Sequence, residues 1–212
     1  IGLGMQGITM GHEIAATFEG RPVAIQPVAY CGACTACLRG DHHVCLQAGQ
    51  GIYGIHRDGG LADELIVERQ CLVELPESVD PASACLVEPI AVGVHAVNKA
   101  RPEPGMRVAV IGAGTIGLVA AAAASRHGVD VDIVARHEPQ FTAAERLGLR
   151  PVQGQELGSG YDLVIDAAGT ESSLTGAIGA IRPAGTIVVP GIYWDDIIVP
   201  GLALCLKETQ LK

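Results

Sequence analysis

Four of the seven cysteines fall inside one short loop, as Cys31, Cys34, Cys37 and Cys45 in a C-x2-C-x2-C-x7-C array. Thiolates at this spacing let one loop wrap a Zn²⁺ ion, and four of them leave no open coordination position, so the site reads as structural. Gly32 and Gly40 ease the turns between the ligands. The alternative is four buried thiols without a metal. Such packing is unusual in a loop that also carries Thr35, Arg39, Asp41 and His42. His42 or His43 could replace a sulfur, but four cysteines suffice. Cys71, Cys85 and Cys205 lie scattered in apolar context. An odd total and one tight cluster fit a reduced, cytoplasmic compartment better than a disulfide framework.

The second array is Gly112-Ala113-Gly114-Thr115-Ile116-Gly117. Alone, G-x-G-x-x-G is a weak signal. Here it follows a strand-like run, 107–111, and opens an alanine-rich helical run, 115–127, which is the context a dinucleotide site requires. Gly112 permits the tight turn, Gly114 lets backbone approach a pyrophosphate, and Gly117 lets the helix lie against the strand. The helix N-terminus, at Thr115 and Ile116, favours the negative charge. A glycine turn with no ligand is the alternative. The ribose-reading position comes at the end of the next strand, 131–135, and is Ala135, followed by Arg136. An acid there would bond the 2′-hydroxyl and repel a 2′-phosphate. A small residue followed by Arg136 favours NADP(H) over NAD(H). Arg136 could instead face solvent while NAD binds without the acid. Asp132 lies mid-strand, too early to substitute.

Two weaker signals remain. Gly11-His12-Glu13 offers an imidazole and a carboxylate, both able to serve a catalytic zinc. A lone His-Glu pair is more often structural. Glu88 lies in the apolar run Leu86-Val87-Glu88-Pro89-Ile90. A carboxylate there is costly unless paired or metal-bound. The competing reading is a carboxylate capping the turn at Pro89. His95 reads as a core or interface histidine.

The elements that must position these groups divide near residue 98. Residues 1–98 are rich in Gly, Cys and His, with short strands expected over Ile14–Phe18, 23–29 and 61–67. Asp80-Pro81 marks a helix start, Pro89 a kink or restart, and 90–98 a helical run toward a turn at 102–105. From 106 onward strands and helices alternate: 107–111, 115–127, 131–135, 139–147, Tyr161–Asp166, 171–181 and 186–190. That alternation argues for a doubly wound parallel sheet. The chain of 212 residues is 49% hydrophobic with a net charge of −9. A charge balance that acidic, without a basic cluster, speaks against nucleic acid or an anionic membrane as partner. No uninterrupted apolar run reaches membrane-spanning length.

Gly11-His12-Glu13, the cysteine array, Val87-Glu88-Pro89 with Val92-Gly93-Val94-His95-Ala96, and the glycine turn at 112–117 occur in one order. That order resembles the zinc-dependent medium-chain dehydrogenase/reductase superfamily, and the Glu-Pro segment its polyol (sorbitol and threonine) dehydrogenase branch. The resemblance implies an α/β chain: a β-rich GroES-like catalytic domain over 1–98, then a Rossmann domain over 99–212. It implies a catalytic zinc held by His12 and Glu88, with Glu13 as ligand or partner. It also implies loops at Ala167 to Gly169 and Gly191 to Ile192 that line the cofactor. The activity implied is hydride transfer between a secondary alcohol (polyol, sugar alcohol or amino alcohol) and a nicotinamide coenzyme, in a homodimer or homotetramer. The family's first zinc ligand, a cysteine preceding the Gly-His-Glu motif, has no counterpart here. Its last cofactor-domain strands are expected after Lys212, so both domains are expected to be incomplete. Two other readings stay open: a non-catalytic, zinc-stabilised nucleotide-binding protein, and a zinc-free quinone or enone reductase of the same superfamily.

Overall fold

The computed structural model describes residues 7–47 and 51–212. Its compact units divide between Glu88 and Pro89.

In the first unit β1 (Ile14–Phe18) and β2 (Arg21–Ile25) form an antiparallel hairpin. Their two-residue turn, Glu19-Gly20, has positive φ at both positions (50° and 78°), as the twist of a tight hairpin demands. β3 (Leu72–Glu74) pairs with the other edge of β2. The core holds Ile14, Val23, Ile25, Tyr53 and Cys71. The strand expected over 23–29 stops at Ile25. Pro27 follows and has no N–H for a ladder. The strand expected over 61–67 is absent. Leu65 and Val67 do pack against the core while Ile66 is 91% exposed. Apart from the Leu61 N–H bond to Met10 O at 3.0 Å, the segment has the alternation of a strand without a strand ladder, which sequence alone cannot distinguish.

The cysteine loop contains one turn of helix, α1 (Thr35–Leu38). Asp80 caps a short 3-10 helix, Pro81–Leu86, by accepting the Ala82 N–H at 3.1 Å. α2 (Val87–Ala100) then begins afresh. Pro89 sits in its first turn, where a missing N–H leaves no bond unmade.

The second unit carries β4 (Arg107–Ile111), α3 (Thr115–Ser125), β5 (Asp130–Val134), α4 (Glu138–Arg146) and β6 (Arg150–Val152). It continues with β7 (Tyr161–Asp166), α5 (Glu171–Ala180), β8 (Ile181–Val188), α6 (Gly201–Lys207) and β9 (Gln210–Leu211). All neighbours pair in parallel, in the order β6-β5-β4-β7-β8-β9. Val108 and Val110 feed one core and Ala109 and Ile111 the other. Burial on both faces explains why β4 reads as a continuous apolar run. Ala120, Ala121 and Ala124 are fully buried, so α3 lies close on the sheet.

Several boundaries differ from expectation: α3 ends at Ser125 rather than 127, and α4 runs over Glu138–Arg146 rather than 139–147. β5 ends at Val134 rather than Ala135. β8 starts at Ile181, before the expected 186, and its pairing with β7 shifts register between Tyr161 and Leu163. Pro183-Ala184-Gly185, with Ala184 at φ 56°, reads as a break in sequence but is absorbed as that irregularity. The two-residue β9 adds a sixth strand at the edge beside β8. No helix among the described residues is long and apolar enough to cross a membrane.

Candidate functional site

The four sulfurs of Cys31, Cys34, Cys37 and Cys45 lie within 4.8 Å of one another. Cys34 is 3.5 Å from Cys37 and 3.9 Å from Cys45, and Cys31 is 3.9 Å from Cys37. Four sulfurs at about 2.3 Å from one tetrahedral ion stand about 3.8 Å apart, so the spacing fits zinc. Backbone donors aim at the sulfurs: Cys34 N–H to Cys31 at 3.3 Å, Cys31 N–H to Cys45 at 3.3 Å, and Gln47 N–H to Cys45 at 3.4 Å. The N–H groups of Cys37 and Leu46 pull the Cys34 thiol down to about 6. Cys45 is lowered too, first by the Cys31 N–H. Burial, then the thiols of Cys34 and Cys45, push Cys37 up to about 12. The loop thus favours negative sulfur but cannot hold it on all four without a cation. His42 stacks its ring on Tyr30 at 3.9 Å.

His12, Glu13 and Glu88 also converge, with their ligand atoms within 4.8 Å of one another. The segment 54–60 braces this corner. Gly60 N–H bonds Gly11 O at 2.8 Å, and Asp58 accepts the Thr9 N–H at 2.8 Å. A Cβ on Gly54 or Gly59 would stand 2.2 Å from Gly11 O, so only glycine lets the two strips touch. Glu88 is the second residue of α2. Burial raises its pKa, with His12 opposing and Glu13 adding to the shift. One imidazole and two carboxylates form a set that suits a divalent ion with an open position.

In the second unit, a cleft of about 450 Å³ opens at the carboxyl ends of β4, β5 and β7. It sits where the strand order reverses beside β4, the usual place for a ligand in such a sheet. Gly112 (φ 102°), Gly114, Ala135, Arg136 and Ala167 line it. Nothing crowds Gly114, so backbone there is open to approach. A Cβ on Gly117 would lie 1.7 Å from Gly112 O, so this glycine packs the helix onto the turn. Thr115 and Ile116 form the first turn of α3 and, like Gly117, lie outside the cleft lining. Gly169, Gly191 and Ile192 are not brought to the wall either. They pack against one another: a Cβ on Gly169 would stand 2.4 Å from Ile192 O, and one on Gly191 2.7 Å from Gly169 N.

Gln140 fixes the turn after β5 by accepting the N–H groups of Arg136 and His137 at 2.9 and 3.2 Å. No carboxylate is among the lining residues. Asp132 is buried and holds Arg150 and the Tyr161 hydroxyl, the latter at 2.6 Å. Sequence reasoning missed Asp166, which closes β7 fully buried and accepts from Ser173 and Tyr193. Its one signal was a charge ending an apolar strand.

The alcohol dehydrogenase GroES-like domain model matches residues 4–77, and the pyridine nucleotide-disulphide oxidoreductase model matches residues 107–145. The chain is 32% identical over 220 residues to D-xylulose reductase A of Aspergillus niger, a match covering 96% of this chain and 61% of that protein. It is 33% identical over 216 residues to L-galactonate-5-dehydrogenase of Escherichia coli K12, covering 96% and 63%. The structure of galactitol-1-phosphate dehydrogenase from Escherichia coli superposes with a TM-score of 0.87 at 25% identity, covering 99% of this chain and 68% of that one. The chain therefore spans a little over three-fifths of the length of these curated relatives. Along nearly its whole length the chain is therefore similar to zinc-dependent medium-chain dehydrogenases/reductases, and among them to polyol dehydrogenases.

Proposed function

We propose that the protein is a dehydrogenase that moves a hydride between the secondary alcohol of a polyol, sugar alcohol or amino alcohol and a nicotinamide coenzyme. The observation that carries this reading is the convergence of His12, Glu13 and Glu88, a donor set separate from the four-thiol loop. When bound, zinc supplies the Lewis acidity that lowers the alcohol's pKa, and the nicotinamide accepts the hydride. His12 would offer an imidazole nitrogen to the ion, and Glu88 and Glu13 would offer carboxylate oxygens. Burial raises the pKa of Glu88, and a cation beside it would oppose that shift and keep the carboxylate charged. Cys31, Cys34, Cys37 and Cys45 hold the structural zinc.

Gly112 and Gly114 would bring backbone to the pyrophosphate, beside the N-terminus of α3, whose dipole favours negative charge. NADP(H) is favoured over NAD(H), because Arg136 stands on the cleft wall and no carboxylate does. We place the protein in the cytoplasm as a homodimer or homotetramer, without nucleic acid or membrane as partner.

The test joins a coenzyme-dependent oxidation screen over polyols and amino alcohols with metal analysis of the full-length protein. Two zincs per chain and turnover of a polyol support the dehydrogenase. One zinc, bound coenzyme and no turnover support a zinc-stabilised nucleotide-binding protein. No zinc with turnover of a quinone or enone supports the zinc-free reductase.

A further inference from the structure

Asp166 ends β7 and is fully buried, yet it lies outside the glycine turn and both candidate metal clusters. Three donors reach its carboxylate from three places in the chain. The Ala168 N–H comes at 3.0 Å, the Ser173 hydroxyl at 2.9 Å and the Tyr193 hydroxyl at 2.5 Å. Its own carbonyl accepts the Gly191 N–H at 3.1 Å. The loop leaving β7 and the loop leaving β8 are thereby tied to one residue. Ala168 also touches the glycine turn, since a Cβ on Gly112 would stand 3.0 Å from it. Ala167, Ala168, Thr170 and Ser173 form the cleft wall opposite Arg136.

We propose that the Asp166 carboxylate, clasped by Tyr193 and Ser173, is a positioning group that presets the cleft wall and so sets the affinity for the dinucleotide. The proposal rests on reading the cleft as a dinucleotide site. A wall fixed before binding spares the ligand the entropy of ordering it. Without the Tyr193 hydroxyl, the loop after β8 loses its side-chain tie to Asp166 and keeps the Gly191 N–H bond to the Asp166 carbonyl and the Ile198 N–H bond to Glu171, so ligand binding must complete the ordering of the wall.

A matched control lies on the same strand. At the opposite end of β7 the Tyr161 hydroxyl bonds buried Asp132 at 2.6 Å, and Tyr161 does not line the cleft. The experiment measures NADPH and NADH dissociation constants by coenzyme fluorescence in the full-length protein, for wild type, Tyr193→Phe and Tyr161→Phe. Each melting temperature is taken alongside. Tyr193→Phe is expected to raise the dissociation constant roughly tenfold, the low end for a bond to a charged acceptor. Tyr161→Phe is expected to lower the melting temperature and leave binding unchanged. Ser173→Ala gives a second, smaller truncation of the same clasp and is expected to weaken binding in the same direction. Unchanged binding in both clasp variants, or equal loss in Tyr161→Phe, overturns the proposal. A wild type that binds neither coenzyme refutes the dinucleotide reading itself and takes the clasp down with it.

Discussion

Removing metal from the four-cysteine loop should open residues 31–47 and leave the second unit closed. Among the described residues, the loop's small cluster is built on buried Cys37 and Cys45, two of the candidate ligands, with Val28, Tyr30 and Cys34 packed against them, and Ala36 is the one other buried side chain in the loop. α1 is a single turn, well below the length at which a helix sustains itself. A structural zinc contributes about 10–16 kcal/mol in small zinc-binding peptides, far more than so few apolar contacts supply. The reporters are loop amides bonded within this segment: Leu38 to Cys34 O at 2.9 Å, Gly40 to Cys37 O at 3.0 Å, and Cys45 to His42 O at 3.1 Å. After chelation, or in Cys37→Ser, their hydrogen exchange should approach that of an open chain. Amides of β4 should keep their protection, because that strand lies in the other unit. Cys71→Ser is the control, a buried cysteine outside the cluster whose burial keeps it a thiol. It should leave zinc content unchanged. Loop amides that stay protected in protein shown to be zinc-free would refute the reasoning.

Three further outcomes are expected. Ala135→Asp should shift coenzyme preference toward NAD(H), and Arg136→Ala should weaken NADP(H) more than NAD(H), in kcat/KM for both coenzymes; a wild-type preference of about tenfold for NAD(H), worth about 1.4 kcal/mol, would contradict this. Lys207→Met should cost about 2–3 kcal/mol in urea unfolding, because the Nζ donates to Ile178 O at 2.7 Å, Gly179 O at 3.0 Å and Ile181 O at 2.7 Å; a loss within error of zero would show that water replaces those bonds. Arg182 and then the Arg107 N–H hold the Asp162 carboxyl below the usual carboxylate range. A lowered pKa gives stability present above the unfolded value near 4 and lost as pH falls through the folded one. Asp162→Asn should therefore flatten the acid limb of a stability–pH curve, and an unchanged slope would rule out this pair as its source.

The order of strands and helices in the second unit was legible because both faces of its sheet are buried. Continuous apolar runs such as Arg107–Ile111 then stand out from the helices between them. β6 was not separately legible. It has three residues, and its pairing with β5, not its composition, makes it a strand. The first unit was harder. Residues 61–67 alternate as a strand does, and only the missing ladder says otherwise. Among candidate site residues, spacing revealed those held by short loops. Cys31 to Cys45 needed nothing beyond their own array, whereas His12 and Glu88 lie 76 positions apart and were linked only through family resemblance.

The same distinction explains the cleft. Its floor is written in one local motif, in which Gly117 has no space for a side chain against Gly112. Its opposite wall depends on contacts without a spacing rule: Asp166 meets Ser173 seven residues on and Tyr193 twenty-seven residues on. Asp132 shows the converse. Its place in the middle of β5 was reason enough to discount it as the ribose reader, and its bonds to Tyr161 and Arg150 supply an independent one. A buried carboxylate already holding a phenol and a guanidinium has no free oxygen to turn toward a ligand without breaking one of them. If the cleft takes a dinucleotide as proposed, coenzyme choice falls to the turn after β5, where Gln140 holds the backbone of Arg136 and the position before it carries only a methyl group.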